Sequence, residues 1–410
     1  MAGHLRELGV AADRLRLLER HLVDRYIDSG RLAGAQLLIA RHGEILFDGC
    51  WGSLDLARGT PLPDDAVYRI YSMTKPVTCV AALILIERGL LSLDDPVALH
   101  IPEWSDLGVR VSGEAGSWQA AAAERPMRIV DLFRHTAGLT YGFQNKTAVD
   151  AAYRDRAIGE PHGALTSDET IAALADIPLD FVPGSAWNYS IATDILGFIV
   201  ERVGGRPLDR FMREEIFAPL GMADTGFTVR SDQARRFAAS YRRLPDGTLA
   251  LHDEPASSPY LAPPTFFSGG GGLVSTAHDY MCFALMLAGG GALGDARILS
   301  PLTVRLMGSN HLPGGRDIAA LSRSAYSEAL YAGMGFGLGV AVVTDPVRTG
   351  MLCSPGEMHW GGMASTVFWV DPAEALCVTF MTQLLPSAAY PIRRELRALV
   401  YGSLTRLGHS

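Results

Sequence analysis

The placement of strand-forming segments along the chain of 410 residues is the feature that most constrains its fold. Near the N-terminus, residues 35–40 and 44–49 predict two short strands, joined by a turn at residues 41–43. The last third of the chain predicts strands again, whereas helical patterns, proline and glycine dominate the middle third. This order predicts an α+β fold in which both termini build one antiparallel sheet flanked by helices, with a mainly helical region inserted between them.

The individual elements follow from periodicity and from boundary signals. A capping box formed by Thr166 and Glu169 opens one of the helices. Residues 268–272, Ser-Gly-Gly-Gly-Gly, predict a flexible joint before another helix. The expected helices are 13–28, 75–88, 168–176, 191–203, 276–288 and 390–404, and the expected late strands are 335–343, 366–370 and 376–381.

The same pattern predicts two domains with the active site at their interface. Residues 1–90 and 263–410 are expected to form a discontinuous α/β domain, and residues 91–262 a mainly helical domain. By their placement in the chain, residues 141–165 and 255–267 are expected to supply the walls of the substrate pocket.

The composition is that of an ordinary soluble globular protein, with a net charge of -8, 48% hydrophobic residues and 20% charged residues. The acidic balance argues against a nucleic-acid binder, which carries a basic face, and against a polybasic membrane anchor. The N-terminal residues lack the apolar core of a signal peptide, and the longest apolar run, residues 77–86, is too short to cross a bilayer. We therefore expect a cytoplasmic enzyme without nucleic-acid or membrane partners.

The cysteines and histidines form no pattern that binds a metal. The five cysteines are scattered and form no Cys-x-x-Cys pair, and the 11 histidines form no His-Glu-x-x-His motif. This predicts free thiols, no disulfide framework and no metal site. The cysteines are Cys50, Cys79, Cys282, Cys353 and Cys377.

The segment Ser72-Met-Thr-Lys75 stands where a strand and loop pass into a helix. Side chains three residues apart share one helix face, so the hydroxyl and the amine can meet. A serine hydroxyl needs a base to become a good nucleophile, and a lysine can be that base once burial has lowered its pKa. Lysine occurs in this arginine-biased chain only at Lys75 and Lys146, and arginine would not deprotonate in such a role. Pro76 places the helix start at or just after Lys75. Taken alone, the four-residue pattern could also arise by chance.

Two further elements have the residue types that such a site requires. Tyr189 precedes a helix, and a phenol close to a lysine ammonium ionises more readily and relays protons. After Trp360, the paired Gly361 and Gly362 allow close backbone approach, and the N–H just after them could complete an oxyanion hole with that of Ser72. Taken separately, these elements are better explained by a core tyrosine with one hydrogen bond and by a hairpin turn with a packing tryptophan.

In this order and at these separations, the three elements resemble the family VIII carboxylesterases, which share the fold of class C β-lactamases and penicillin-binding DD-peptidases. The resemblance runs from about residue 15 to residue 400. Its other signposts are Leu132-Phe-Arg-His-Thr-Ala-Gly-Leu-Thr-Tyr-Gly142, Gly269-Gly-Gly-Gly-Leu-Val-Ser-Thr276 and Trp369-Val-Asp-Pro372.

The resemblance implies a serine esterase that acts on small-molecule esters through an acyl-enzyme and needs no cofactor. Ser72 would be acylated, and Lys75 and Tyr189 would form the proton-transfer pair. Trp360 would stand where β-lactamases have the lysine of their Lys-Thr-Gly motif. The N–H groups of Met363 and Ser72 would hold the oxyanion.

Two departures from the β-lactamase pattern bear on the substrate. Class C β-lactamases usually have Tyr-x-Asn, and the asparagine position is Ile191 here. The lysine of their third motif is replaced by the neutral Trp360. Because sites that bind by hydrogen bonds discriminate strongly, these losses relax recognition of a charged amide and favour neutral esters. His359 could restore some polarity, so weak β-lactam hydrolysis stays open as a side reaction.

Other functions remain as alternatives: an acyltransferase on the same fold, a β-lactamase or DD-peptidase, and a non-catalytic penicillin-recognising sensor. The sequence has no Gly-x-Ser-x-Gly motif, which counts against an α/β-hydrolase fold. His135 is expected to anchor its loop, because Lys75 and Tyr189 already fill the catalytic role.

Overall fold

The computed structural model describes residues 2–323 and 331–408. The strands are β1 Gly34–Arg41, β2 Glu44–Asp55, β3 Thr60–Pro61, β4 Tyr68–Arg69, β5 Val109–Ser112, β6 Gln119–Ala121, β7 Ser240–Arg243, β8 Leu249–Asp253, β9 Val274–Ser275, β10 Ala292–Leu293, β11 Ala296–Arg297, β12 Met334–Phe336, β13 Ala341–Val343, β14 Met358–Gly361, β15 Val367–Asp371, β16 Leu376–Thr382 and β17 Leu384–Leu385. The α-helices are α1 Ala2–Glu7, α2 Ala12–Leu22, α3 Thr74–Glu87, α4 Ile129–Phe133, α5 Ala148–Asp155, α6 Ser167–Ala175, α7 Ala192–Gly204, α8 Leu208–Met212, α9 Ala277–Ala288, α10 Pro301–Met307, α11 Ile318–Leu321, α12 Pro346–Thr349 and α13 Ile392–Tyr401.

One eight-stranded sheet joins the two ends of the chain, in the order β12-β13-β14-β15-β16-β1-β2-β3. β1 lies between β2 and β16 and is antiparallel to both, with Leu38 opposite Thr379 of β16. All eight residues of β1 are buried. The predicted α+β fold, with an antiparallel sheet built from both termini, is therefore confirmed.

Helices cover both faces of this sheet, because alternate residues of β1 point to opposite sides. Leu37 and Ile39 share a hydrophobic cluster with buried residues of α2 and α13. Leu38 and Ala40 belong to a second, larger cluster that contains buried residues of α3 and α9. The second cluster extends into the inserted region, so the sheet and the insertion have a continuous core.

The inserted region contains α4 to α8 together with two hairpins, β5–β6 and β7–β8. α7 packs against both α3 and α4. This packing brings the loop before α7 to the start of α3. The domain boundaries expected at residues 90 and 263 stay a prediction.

Two predictions from the glycine pattern were wrong. Residues 335–343 do not form one strand, because β12 and β13 are antiparallel partners joined by a tight turn. Gly339 in this turn has a φ of +93°, and a Cβ there would lie 2.3 Å from Sγ of Cys79. Residues 268–272 form a packed loop rather than a flexible joint, since a Cβ on Gly270 would lie 2.3 Å from a buried carboxylate oxygen.

The six expected helices are confirmed within a few residues of their predicted ends. For residues 13–28, the α-helix ends at Leu22 and a π-helical turn, Val23–Ile27, continues it. All five cysteines are free thiols. In the two described ranges, no helix has both the length and the apolar character that crossing a membrane requires.

Candidate active site

Ser72 lies where the chain leaves a short strand and enters α3. β4 pairs with β9 just before it, and Tyr71 adopts a left-handed φ of +43°. A 3-10 turn, Tyr71–Met73, then leads into α3, which begins at Thr74. Pro76 occupies the first turn of the helix, where a missing N–H breaks no helical hydrogen bond. The hydroxyl of Ser72 is therefore held at a helix start on a partly exposed residue.

Lys75 is 1% exposed, and its amine contacts three oxygen atoms. The Nζ–O distances are 3.3 Å to Oγ of Ser72, 2.9 Å to the hydroxyl of Tyr141 and 2.7 Å to the carbonyl of Gly270. Burial lowers the pKa of Lys75 to about 7, although the carboxylate of Asp194 opposes this effect. A substantial fraction of Lys75 is therefore neutral near pH 7, as a general base must be.

Tyr189 reaches Ser72 from the loop before α7. Its hydroxyl donates a hydrogen bond to Oγ of Ser72 at 2.6 Å, and its ring centroid lies 4.6 Å from Nζ of Lys75. Burial raises the pKa of Tyr189, although its hydrogen bond to Ser72 opposes this rise. Burial is the largest influence on the pKa of Tyr189, so the structure does not support the expectation that this phenol ionises more readily. Tyr189 is therefore a proton donor to Ser72.

Tyr141 is a site residue that sequence reasoning missed. Its hydroxyl accepts the hydrogen bond from Lys75, and its ring lies 5.4 Å from that of Tyr189. Phe143 stacks on Tyr141 at a centroid distance of 4.8 Å. The signal was present, because Tyr141 stands in the segment that carried the family resemblance and within one of the expected pocket walls. Its spacing from Lys75 gives no hint of the contact.

The Trp360 segment forms the opposite side of the site. Trp360 on β14 is 5% exposed, and its ring centroid lies 5.5 Å from that of Tyr189. A Cβ on Gly361 would lie 2.6 Å from Nη2 of Arg393, and a Cβ on Gly362 would lie 2.4 Å from the carbonyl oxygen of Ile70. The two glycines thus allow this strand end to approach the turn that precedes Ser72.

The two N–H groups expected to bind an oxyanion, those of Ser72 and Met363, belong to residues near the contact between Gly362 and Ile70. Met363, which follows Gly362, is 38% exposed. Ser72 lies in the 3-10 turn that leads into α3, and Met363 follows the close contact between Gly362 and Ile70. The role of these two N–H groups stays a prediction.

Three other residues considered in the sequence have positions that the structure defines. His135 is buried, with Nδ1 at 3.3 Å from Oγ of Ser190, and burial holds its pKa well below the ordinary histidine value. Ile191 is fully buried and supplies no polar group. Nζ of Lys146 donates a hydrogen bond at 2.9 Å to the carbonyl of Arg323, so Lys146 takes no part in the site.

A cavity of about 460 Å³ adjoins the Trp360 segment. Its described walls come from β14, β15 and α13 and the segments beside them. The expectation that residues 141–165 and 255–267 supply the walls of the substrate pocket stays a prediction. His359 also lines this cavity, but its Nδ1 lies 3.3 Å from the buried carboxylate of Glu357. Among the described residues, no group of three or more His, Cys, Asp or Glu side chains is placed to hold a metal ion.

Comparisons with known proteins identify the family and several relatives of this chain. The family model described as Beta-lactamase matches residues 19–402. An uncharacterized protein of Mycobacterium tuberculosis is 37% identical over 362 residues, which cover 88% of each chain. Esterase EstB of Burkholderia gladioli is 32% identical over 399 residues, which cover 92% of this chain and 93% of EstB. The solved structure of EstCE1, described as a hydrolase with promiscuous acyltransferase activity, matches with a TM-score of 0.81 at 27% identity, over 96% of this chain and all of that one.

Proposed function

The chain belongs to the beta-lactamase family, and we propose that it is a serine carboxylesterase that hydrolyses neutral esters of small molecules through an acyl-enzyme on Ser72. One observation carries the proposal: Oγ of Ser72 lies between Nζ of Lys75 at 3.3 Å and the hydroxyl of Tyr189 at 2.6 Å. A hydroxyl placed between a base and an acid has both groups that acyl transfer requires. Membership of family VIII and a cytoplasmic location are part of this proposal.

In the acylation step, neutral Lys75 accepts the proton of Ser72 while Oγ bonds to the acyl carbon of the ester. Tyr189 protonates the departing alkoxide, and the ammonium of Lys75 restores the proton to Tyr189. The N–H groups of Ser72 and Met363 hold the negative charge of the tetrahedral intermediate. In deacylation, the same pair takes a proton from water, the resulting hydroxide attacks the acyl carbon, and Ser72 regains its proton as the acid leaves.

The lining of the site supports neutral esters over β-lactams. Trp360 presents an aromatic ring where β-lactamases have a lysine, and Ile191 is buried without a polar group. His359 contacts Glu357, which reduces its value as a partner for a charged substrate. Two polar groups with which β-lactamases bind a charged amide are therefore replaced by apolar side chains here. Nitrocefin turnover, measured beside ester turnover, gives the size of any side reaction with β-lactams.

Replacement of the nucleophile tests this function. Ser72→Ala should abolish hydrolysis of p-nitrophenyl butyrate and leave the thermal unfolding curve intact, because the residue is partly exposed and loses only one small polar group. The matched control is Ser105→Ala, at an exposed serine in another part of the chain, which should retain full activity. Hydrolysis that persists in folded Ser72→Ala would rule the proposal out.

An acyltransferase is the second candidate function. The observation that favours it is the similarity to EstCE1, whose description combines hydrolysis with acyl transfer. The acyl-enzyme on Ser72 would then pass its acyl group to an alcohol in place of water. Measuring the ratio of new ester to free acid as an acceptor alcohol is added separates the two functions.

A further inference from the structure

The glycine loop of residues 268–272 packs against α3 and α7. A Cβ on Gly269 would lie 2.7 Å from the carbonyl oxygen of Thr193 on α7 and 2.8 Å from Cγ2 of Thr78 on α3. The hydroxyl of Thr78 donates a hydrogen bond at 2.7 Å to the carbonyl of Gly269. The loop therefore sits between α3 and α7, where side chains would not fit.

Gly270 connects two buried charged side chains within this loop. Its carbonyl accepts the hydrogen bond from Nζ of Lys75 at 2.7 Å, and its N–H donates to Oδ1 of Asp194 at 2.9 Å. The hydroxyl of Ser268 donates to the same carboxylate oxygen at 2.5 Å. Asp194 lies in the first turn of α7 and is 3% exposed. One peptide unit on either side of Gly270 thus links the carboxylate to the amine.

We infer that Asp194 is a positioning residue for the proposed base: it fixes Gly270, whose carbonyl aims Lys75 at Ser72, and its carboxylate is the counter-charge of the Lys75 ammonium. The inference rests on the proposed function, because it assigns Lys75 its task. A buried carboxylate that keeps this place needs both hydrogen bonds and an opposite charge, and Asp194 has them.

Among the described residues, His135, Cys79 and Tyr189 are other titratable groups near Lys75, and burial favours the neutral form of each. Burial holds the pKa of His135 well below its ordinary value and raises the pKa of Cys79. Tyr189 keeps its proton because burial raises its pKa. The hydroxyl oxygen of Tyr141 accepts a hydrogen bond from Nζ of Lys75.

Among the described residues, Asp194 is the carboxylate whose charge stabilises the ammonium of Lys75. Burial raises the pKa of the Asp194 carboxyl, and the charge of Lys75 opposes that rise. In return, the carboxylate opposes the lowering of the Lys75 pKa. Each of the two groups stabilises the charged form of the other.

The pH profile of Asp194→Asn tests the inference. In the wild-type enzyme, kcat/KM should rise with pH through about 7 as Lys75 loses its proton. Asparagine keeps an oxygen for the N–H of Gly270 but removes the charge that stabilises the ammonium. Lys75 then loses its proton more easily, so this limb should move to lower pH by about one unit. Asp194→Ala also removes the hydrogen bond, and kcat should fall about tenfold or more with KM little changed.

Asp279→Asn is the matched control. Asp279 is a buried carboxylate in the first turn of α9, and it accepts hydrogen bonds of 2.8 Å from Thr225 and from the N–H of Asp224. It shares the burial and the helix position of Asp194 but does not contact the Gly270 loop. Its replacement should leave the pH limb in place, and an equal shift in both variants would contradict the inference.

A second readout separates this inference from the proposed function. Diisopropyl fluorophosphate labels an activated serine when Oγ displaces fluoride from phosphorus, and intact mass gives the rate without any ester turnover. Labelling with the predicted pH limb in a protein that hydrolyses no ester would refute the function and support the role of Asp194. An unmoved limb and an unchanged kcat in Asp194→Asn would overturn the role of Asp194 in an active esterase. If Asp194→Asn does not fold, Ser268→Ala replaces it, because this variant removes one hydrogen bond to the carboxylate of Asp194. The pH limb and kcat of Ser268→Ala then decide the question.

Discussion

Two tyrosines with different partners surround the Ser72–Lys75 pair at the scale of single residues. Tyr189 donates to Ser72 at 2.6 Å, whereas Tyr141 accepts from Lys75 at 2.9 Å. Of the two phenols, Tyr189 is thus the one that the structure shows hydrogen-bonded to the atom that we propose as the nucleophile. Tyr141 acts on the amine, where it is one of three oxygen contacts.

This difference predicts unequal losses in the two phenylalanine variants. Tyr189→Phe removes the proton donor of Ser72 and should lower kcat for a p-nitrophenyl ester by about 10²- to 10⁴-fold. Tyr141→Phe leaves that hydrogen bond and two of the amine contacts in place, so its loss should be about tenfold. Tyr26→Phe is the control: Tyr26 is fully buried and its hydroxyl contacts Glu395, in the core cluster of α2 and α13. A greater loss in Tyr141→Phe than in Tyr189→Phe would show that the two roles are reversed.

At the scale of elements, side-chain amides hold together the two loops that carry these tyrosines. Nε2 of Gln144 donates to the carbonyl of Tyr189 at 2.7 Å and to Oδ1 of Asn188 at 3.1 Å. Nδ2 of Asn188 donates to the carbonyl of Leu139 at 3.1 Å, two residues before Tyr141. Backbone hydrogen bonds also join the two loops, from the N–H of Ile191 to the carbonyl of Thr140 at 3.2 Å and from the N–H of Asn188 to the carbonyl of His135 at 2.9 Å. The amide bonds add to these and help to fix the separation of the two phenols.

Loss of this amide should therefore affect both activity and stability. Gln144→Ala leaves the buried carbonyl of Tyr189 without that donor, which should lower the free energy of unfolding by about 1–3 kcal/mol. Because Tyr189 also loses its fixed position, kcat should fall about tenfold. Urea unfolding and ester turnover measure the two effects. The control is Gln119→Ala, on the exposed hairpin strand β6, which should change neither the free energy of unfolding nor kcat. An unaltered kcat in Gln144→Ala would show that the hydrogen bonds of Gln144 do not position Tyr189.

At the scale of the whole molecule, a buried arginine joins three distant parts of the chain. Arg41 at the end of β1 is fully buried, and its Nη1 donates to the carbonyls of Leu8 and Gly9 at 2.9 and 3.0 Å. Its Nη2 lies 3.1 Å from the carboxylate of Glu374 and donates to the carbonyl of Arg406 at 2.9 Å. The N-terminal segment, the β15–β16 turn and the C-terminal segment therefore share one guanidinium.

Arg41→Leu should destabilise the protein without changing its chemistry. The variant leaves Glu374 buried without its partner, so we expect a loss of about 3–5 kcal/mol in the free energy of unfolding. Turnover per folded molecule should stay at the wild-type value, because the arginine has no contact with the site. Arg58→Leu is the comparison, since Arg58 and Glu254 form an ion pair with side chains 59% and 41% exposed and should contribute about 1 kcal/mol or less. Equal losses of unfolding free energy in the two variants would refute the larger contribution of Arg41 to stability.

The sequence by itself determined the features that depend on local spacing. Helix periodicity puts Ser72 and Lys75 on one face, and alternation predicts the strands that both chain ends contribute to one sheet. The ordered motifs identified the family and placed Tyr189 and Trp360 in the site. Each of these features follows from residues that are close together in the chain, or from a motif that the family resemblance assigns to the site.

Only the tertiary structure decided the surroundings of Lys75. Tyr141, Asp194 and Gly270 come from three separate segments, and no local pattern relates their distances along the chain to contact in space. The same applies to the turn at Gly339, where glycines that alternate as in a strand instead permit close packing. The physical reason is that the pKa of a lysine depends on how completely distant segments exclude water from it and which charges they bring. The sequence could therefore name the base, whereas the fold sets its pKa and direction.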